Sequence, residues 1–302
     1  MRLLDLLKAT VRTLEQSGIE DALPDAELIV FHAVGMERLD AYVNNPEMGS
    51  ADAAKIKRQI RRRSKGEPVQ YITGSVTFLG LTIKVGKGVL IPRPETELLV
   101  LEVITAVRSS KFEVQELQRS SEHGTLDKEQ FSVLDLCTGS GCIALALAKE
   151  FPDAEVCGTD VSKDALAYAR KNAKINGIRN ARFLQGALFE PVEGRKFSII
   201  TANPPYIRRD ELDTLQREIR EWEPVDALDG GDDGMVFYRQ ILSSAGEYLN
   251  SGGCIFLELG FDQAGVVREL AQKQGFEDIA LISDYAGIGR ILKARKAKLP
   301  LH

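Results

Sequence analysis

The tetrad Asn203-Pro204-Pro205-Tyr206 closes the apolar run Phe197-Ser198-Ile199-Ile200-Thr201-Ala202. Neither proline has an N–H to give to a sheet, so a strand that runs into them leaves the ladder with a stiff, extended backbone and free carbonyls. Asn203 adds a side-chain oxygen at the strand tip, and Tyr206 adds a flat aromatic face. Together they suit a planar NH2 group. Its two N–H bonds would go to the Asn203 oxygen and the Pro204 carbonyl while its plane stacks on Tyr206, so the nitrogen faces one fixed direction.

A second set of residues suits a ligand that comes close to the backbone. Asp135-Leu136-Cys137-Thr138-Gly139-Ser140-Gly141 follows a β-branched run and opens a helix, and Gly139 to Ala144 fits the pattern G-x-G-x-x-A. Gly139 and Gly141 let a ligand approach the main chain, and the helix N-terminus offers N–H groups to a phosphate or an amino-acid carboxylate. Asp160, at the end of the next expected strand, is placed to accept hydrogen bonds from ribose hydroxyls, which suits a dinucleotide or S-adenosylmethionine. It could equally cap the following helix. Asp135, just before the turn, is expected to answer the ammonium of a methionine moiety, a charge that nicotinamide cofactors lack.

Alternating strands and helices must carry these residues. Strands are expected at Val133 to Cys137, Glu155 to Gly158, Ala181 to Leu184, Phe197 to Thr201, Cys254 to Leu259, Ile279 to Ile282 and Arg290 to Leu292. Helices are expected at Cys142 to Lys149, Lys163 to Asn172, Val236 to Leu249 and Ala264 to Gln274. The pattern is that of a doubly wound, Rossmann-like α/β sheet, in which ligands sit outside the carboxyl ends of the strands, so the two motifs would share one crevice. In front lie small helices: Leu3, Leu4, Leu7, Val11 and Leu14 recur at helical spacing, as do Leu28, Ile29 and His32 after Pro24, with His32 a core or boundary histidine and not a ligand. Ser50 is expected to cap a helix bearing Lys55, Lys57, Arg58, Arg61, Arg62, Arg63 and Lys65, either a solvated face or a docking surface for an anionic partner. Gln70 to Val85 suggests a hairpin-like connector, and Ser109 to Gln130 a surface loop.

With 302 residues, 44% of them hydrophobic, the chain can bury the cores of two domains. The expected organisation is a helical domain over 1–74, a hairpin connector over 75–90 and a catalytic domain over 91–297. A net charge of minus five argues against stable nucleic-acid binding through global electrostatics. Cys137, Cys142, Cys157 and Cys254 form no C-x-x-C pair, and three histidines are present, which fits a reduced cytoplasmic protein with no metal. Met1 to Thr10 has no signal-type apolar core and no run approaches a membrane span.

Asp135 to Gly141, Asp160 and Asn203 to Tyr206 together resemble an S-adenosylmethionine-dependent amino methyltransferase. Gly66-Glu67-Pro68-Val69-Gln70-Tyr71-Ile72-Thr73-Gly74, Leu90-Ile91-Pro92-Arg93-Pro94-Glu95-Thr96-Glu97 and Glu223-Pro224-Val225-Asp226-Ala227-Leu228-Asp229-Gly230-Gly231 narrow the resemblance to the HemK/PrmC family, the N(5)-glutamine methyltransferases of peptide chain release factors. It spans nearly the whole chain, the 109–130 segment excepted. The resemblance implies methylation of the glutamine in the Gly-Gly-Gln loop of bacterial class 1 release factors, S-adenosyl-L-methionine as methyl donor, and neither a metal nor a dedicated general base. It implies catalytic roles for Asn203, Pro204 and Tyr206, and contact with the acceptor by these together with Pro205, Leu90 and Arg93. Cofactor contacts fall to Asp135, Cys137, Thr138, Gly139, Ser140, Gly141, Asp160, Leu188 and Asn203, with Leu188 packing on the adenine.

Three positions depart from the family pattern. Cys137 stands where the first glycine of the turn is usual, so a positive φ there would carry strain. Ala187 replaces a polar or acidic residue that often holds the adenine, and Asp284 to Arg290 lacks an aspartate just before the arginine. The alternatives are a glutamine methyltransferase of a ribosomal protein, an adenine-N6 methyltransferase of nucleic acid, whose acceptor is also a planar NH2, and a protein-binding module without cofactor.

Overall fold

The computed structural model describes residues 1–119 and 131–297. In chain order the helices are α1 (Leu3–Gln16), α2 (Ala22–Val34), α3 (Arg38–Asn44), α4 (Ser50–Arg63), α5 (Val69–Thr73), α6 (Pro94–Arg119), α7 (Cys142–Glu150), α8 (Lys163–Ile175), α9 (Arg217–Trp222), α10 (Val236–Tyr248) and α11 (Ala264–Lys273). The strands are β1 (Ser75–Phe78), β2 (Leu81–Lys84), β3 (Ser132–Leu136), β4 (Glu155–Asp160), β5 (Ala181–Gln185), β6 (Phe197–Ala202), β7 (Leu249–Glu258), β8 (Phe276–Ser283) and β9 (Gly289–Lys296). They form two compact units, one of Met1–Val76, Val85–Lys87 and Thr214–Glu223, the other of Thr77–Lys84, Gly88–Asp213 and Pro224–His302. Among the described residues no helix is long and apolar enough to cross a membrane.

The first unit is a helical bundle. Leu3, Leu7 and Leu14 of α1 pack with Ala26, Ile29 and Val30 of α2, Ile56 and Ile60 of α4, and Val69 and Ile72 of α5. Burial at 22, 26, 29, 30 and 33 defines the inner face of α2, which turns Leu28 and His32 outward. His32 is therefore exposed, not a core residue. Gln70 to Thr73, expected within a hairpin-like connector, is helical as part of α5: Pro68 starts it, Gly74 ends it in the left-handed conformation, and burial of Val69 and Ile72 in the bundle outweighs their β preference. The hairpin begins only at Ser75. Gly49, not Ser50, occupies the cap position of α4, which makes no side-chain cap bond.

Three of the seven cations on and beside α4 are structural, Lys55 donating to Ala33 O of α2 at 2.8 Å. Arg62 pairs with Glu67, and Arg63, buried to 6% exposure, holds both Asp25 and Glu218, the latter at 2.6 Å. Glu218 lies on α9, so this ion triad ties Thr214–Glu223 into the bundle. Burial pushes the Asp25 carboxyl upward, and Arg63 opposes the shift. Replacing Arg63 by methionine should cost about 3–5 kcal/mol by leaving a buried carboxylate unpaired. A folded-state pKa raised above the unfolded value favours the folded state as pH falls, so this loss should shrink from pH 7 to pH 5 in urea denaturation. A loss equal at both pH values would contradict the assignment.

The second unit is built on a seven-stranded sheet of order β5-β4-β3-β6-β7-β9-β8, parallel except for β9, which runs antiparallel to β7 and β8. Leu134, Leu136, Phe197, Ile200, Ile255 and Leu257 form the centre of its core. Leu136 is in register with Thr159 on one side and Ala202 on the other. That register brings Cys137, Asp160 and Asn203, the next residue on each chain path, to one rim of the sheet. The two largest shifts from the expected boundaries are that α6 continues to Arg119 through half of the expected loop, whose residues 120–130 lie outside the described residues, and that β7 starts at Leu249, directly where α10 ends.

Candidate active site

The turn between β3 and α7 is shaped by left-handed backbone at alternate residues, Cys137 (φ 54°), Gly139 (55°) and Gly141 (79°). Glycine adopts this conformation freely, whereas a cysteine there costs about 1–2 kcal/mol. The strain expected at Cys137 is thus present, and its thiol is held protonated by burial and by Asp160 and Asp135. Asp160 spends one lone pair of each carboxylate oxygen on the loop: Oδ2 accepts from Gly139 N–H and Oδ1 from Ser162 N–H, both at 2.8 Å. Ser162 caps α8 through Ala165 N–H at 3.1 Å, so Asp160 is not the cap. Val161 N–H also faces the carboxylate, so three backbone donors leave it acceptor capacity for about one further hydrogen bond.

Asp135 does not face the cofactor space that its position in the sequence suggests. It is fully buried beneath the turn, with Oδ2 accepting from Thr138 Oγ1 at 2.5 Å and Oδ1 from Thr201 Oγ1 at 2.9 Å, and it also receives Ala144 N–H at the start of α7. A residue one before the strand end points its side chain under the loop, not into the space above it. Burial raises its pKa to about 7 against the pull of these donors. Asp135 therefore fastens β3, β6 and α7 together.

Above the rim lies a cavity of about 500 Å³, within the range of cofactor sites. Cys137, Thr138, Gly139, Ser140, Asp160, Leu188, Asn203, Pro205 and Leu90 line it, along with Ala187; Gly141, Pro204, Tyr206 and Arg93 do not. Gly141 faces the opposite way, toward Ala169 and Phe183. Thr159 Oγ1 donates to Leu188 O at 2.8 Å and holds Leu188 at positive φ on the cavity wall. The lining includes Asp160 and Asp226 and, among the described residues, no lysine or arginine. Among those residues no group of three or more His, Cys, Asp or Glu could hold a metal.

The orientation of Asn203 is defined by its own hydrogen bond. Nδ2 donates to Thr96 Oγ1 at 3.2 Å, which leaves the acceptor Oδ1 on the other branch of the amide. Tyr206 turns its hydroxyl toward Glu258 Oε1 at 3.5 Å, and burial raises its pKa. Arg93 contributes positive charge near the Tyr206 phenol. The exit of the tetrad is strapped by the loop after α9: Ile207 N–H donates to Leu228 O and Gly230 N–H to Ile207 O. Gln263 Nε2 donates to Tyr206 O at 2.8 Å.

Thr96, Glu258 and Gln263 are site residues that motif and spacing do not single out. Thr96 lies inside the Leu90 to Glu97 stretch, but its partner is 107 positions away. Glu258 is the one acid in the apolar run of β7, a position where burial of a carboxylate signals a function.

A seven-stranded sheet of this topology, with a glycine turn after β3 and the Asn-Pro-Pro-Tyr rim, defines a methyltransferase of the Rossmann-like class. Residues 110–222 match the methyltransferase small domain, and 5–74 the PrmC N-terminal domain. The fold is shared with the hMettl16 catalytic domain in complex with a 3'UTR hairpin (TM-score 0.53, 14% identity, 90% of this chain and 91% of that one). It is shared as well with a methyltransferase from Pyrococcus furiosus (TM-score 0.50, 22% identity, 72% and 90%). The chain is 44% identical to the release factor glutamine methyltransferase of Thermodesulfovibrio yellowstonii, over 91% of this chain and 92% of that one. It is 41% identical to the enzyme of that name in Geobacter sulfurreducens (93% and 92%) and 38% to that of Agrobacterium fabrum (96% of both). The chain belongs to the release factor glutamine methyltransferase family.

Proposed function

We propose that this enzyme transfers a methyl group from S-adenosyl-L-methionine to the side-chain amide nitrogen of the glutamine in the Gly-Gly-Gln loop of class 1 release factors. The observation that carries this reading is the Asn203 amide, held by Thr96 with its acceptor oxygen free at the rim of the same cavity that Asp160 and the glycine turn line. A carboxamide nitrogen is a poor nucleophile because its lone pair is delocalised into the carbonyl. Asn203 Oδ1 and the Pro204 carbonyl, accepting its two N–H bonds, would hold electron density on nitrogen and fix its direction of attack. Tyr206 and Pro205 would confine the amide plane, and Leu90 and Arg93 the flanking acceptor backbone. No general base is assigned.

The donor chemistry of the cavity fits the cofactor. When bound, S-adenosylmethionine supplies an electrophilic methyl on a cationic sulfur with a neutral leaving group, so no metal is required. A wall with two aspartates and no lysine or arginine among its described residues suits a cation better than a dinucleotide pyrophosphate. Asp160 would receive a ribose hydroxyl on its remaining acceptor capacity, Leu188 would pack on the adenine, and Cys137, Thr138, Gly139 and Ser140 would hold the amino-acid end. Asp135 and Gly141 would act by shaping the turn. We further assign partner recognition to the helical residues 1–74, with 75–90 as connector and 91–297 as the catalytic part, apart from Thr214–Glu223, which packs in the helical unit, in the cytoplasm where release factors act.

The test is transfer of isotopic label from S-adenosylmethionine to a purified class 1 release factor, beside one whose Gly-Gly-Gln glutamine is changed to alanine. Label on the first alone is the expected result. Equal labelling of both, or of neither while the cofactor binds, would overturn the acceptor and bring forward a ribosomal-protein glutamine or an adenine amine.

A further inference from the structure

Glu258 ends β7 at 2% exposure, yet among the described residues it has no cationic partner in contact. Its Oε2 makes no hydrogen bond, and the Tyr206 hydroxyl reaches Oε1 only at 3.5 Å. The Thr96 hydroxyl of α6 faces the same carboxyl and favours its charged form. Glu95 beside Thr96 opposes that charge, while Arg290 at the start of β9 favours it. Tyr238 of α10 donates to the Glu258 main-chain oxygen at 2.9 Å. A buried acid so incompletely satisfied is costly to keep for packing alone.

We propose that Glu258 is a positioning residue that sets which end of the Asn203 amide faces the acceptor, acting through the Thr96 hydroxyl. The inference rests on the reading that Asn203 Oδ1 receives an acceptor N–H. A carboxylate can only accept, and a hydroxyl has a single hydrogen to give. If Thr96 gives that hydrogen to Glu258, its oxygen can only accept from Asn203. Asn203 must then turn Nδ2 toward Thr96, as observed at 3.2 Å, and present Oδ1 to the incoming amide. A protonated Glu258 removes the constraint, because its own O–H can donate to Thr96 and free the Thr96 hydrogen to point at Asn203 Oδ1. The flipped Asn203 would then meet the acceptor NH2 with another NH2, donor against donor.

Burial raises the Glu258 pKa to about 7, so the switch of polarity falls in an accessible range. The experiment is a pH titration of the Asn203 side-chain amide resonances in the full-length protein by ¹H–¹⁵N NMR. In the unmodified protein they should shift with a midpoint near 7. The part of the shift that depends on Glu258 should vanish in Glu258→Gln and Thr96→Val and persist in Thr96→Ser. Asp135 also titrates near 7 but remains in every variant, so its contribution is the residual common to all. Glu258→Gln should lower kcat by about 10²-fold through misplacement of the amide, with the KM for S-adenosylmethionine unchanged, and adding it to Thr96→Val should lower kcat no further. Asn203 resonances indifferent to pH, or titrating alike with and without Glu258, would overturn the proposal. Should the unmodified enzyme fail to label a release factor, the acceptor assignment alone falls, and the amide titration still decides the role of Glu258.

Discussion

Asn203→Ala should reduce kcat for methyl transfer to the release factor by about 10²–10³-fold, the loss seen when a single preorganised polar group is removed from a reacting centre. The effect should appear in kcat, because the glycine turn, Asp160 and Leu188 line the cavity independently of the Asn203 side chain. The KM for S-adenosylmethionine should move by less than about threefold, a difference below 1 kcal/mol. Asn203→Asp separates acceptance from orientation. The carboxylate keeps an acceptor oxygen but cannot donate to Thr96 Oγ1, and it adds a second negative charge near Glu258. Its activity should therefore fall nearly as far as that of the alanine variant. A large rise in the cofactor KM with kcat retained would move Asn203 from the acceptor to the cofactor. An aspartate variant of near-normal rate would show that the amide's donor end is irrelevant.

The legible parts of this chain are those in which short-range pattern and long-range geometry coincide. The β3 strand, its turn and α7 are contiguous, so strand, left-handed turn and helix start read as one unit. Asn203 stands out because two prolines halt β6 at a place where a parallel sheet leaves its rim open. The connection between them, Leu136 in register with both Thr159 and Ala202, follows from topology. Asp135 is legible as a special residue but not in its role. Residue type and position suggest a ligand contact, whereas alternation along β3 puts its carboxyl under the turn, a matter of one residue of register. Gln70 to Thr73 misleads because its β-branched residues carry a local preference for extended chain, and the burial of Ile72 in the bundle is invisible locally. Thr214–Glu223 belongs to the helical unit through Glu218 and Arg63, partners 155 positions apart by their numbers, a contact that no periodicity announces. Thr96 and Glu258 escape for a related reason: their importance lies in a chain of hydrogen-bond polarity that spans three elements.

Gly230→Ala should lower kcat by about 10²-fold, although residue 230 touches neither the cavity nor the acceptor. A methyl group there would lie 2.7 Å from Tyr206 Cα, 2.8 Å from the Tyr206 carbonyl carbon and 3.0 Å from Gly234 Cα. These are backbone atoms, so no rotamer change can relieve the contact. Either the 228–234 loop or the Asn-Pro-Pro-Tyr segment must move by several tenths of an ångström. The loop is pinned by Gly230 N–H on Ile207 O and Val236 N–H on Gly230 O, and Tyr206 O is pinned by Gln263. The displacement is thus shared, and it reaches the Asn203 and Pro204 acceptors through two stiff prolines that transmit it without damping. Overpacking of this kind should also cost about 1–3 kcal/mol of stability. Gly246→Ala provides the contrast: it sits within α10, and the added methyl would meet nothing within 4 Å, so it should raise stability by about 0.5–1 kcal/mol and leave kcat unchanged. Steady-state kinetics and thermal melts on both variants, with isothermal titration of the cofactor, measure the difference. A Gly230→Ala enzyme that melts lower but turns over at the normal rate would show that the loop supports only the fold, and that the tetrad is positioned from β6 alone.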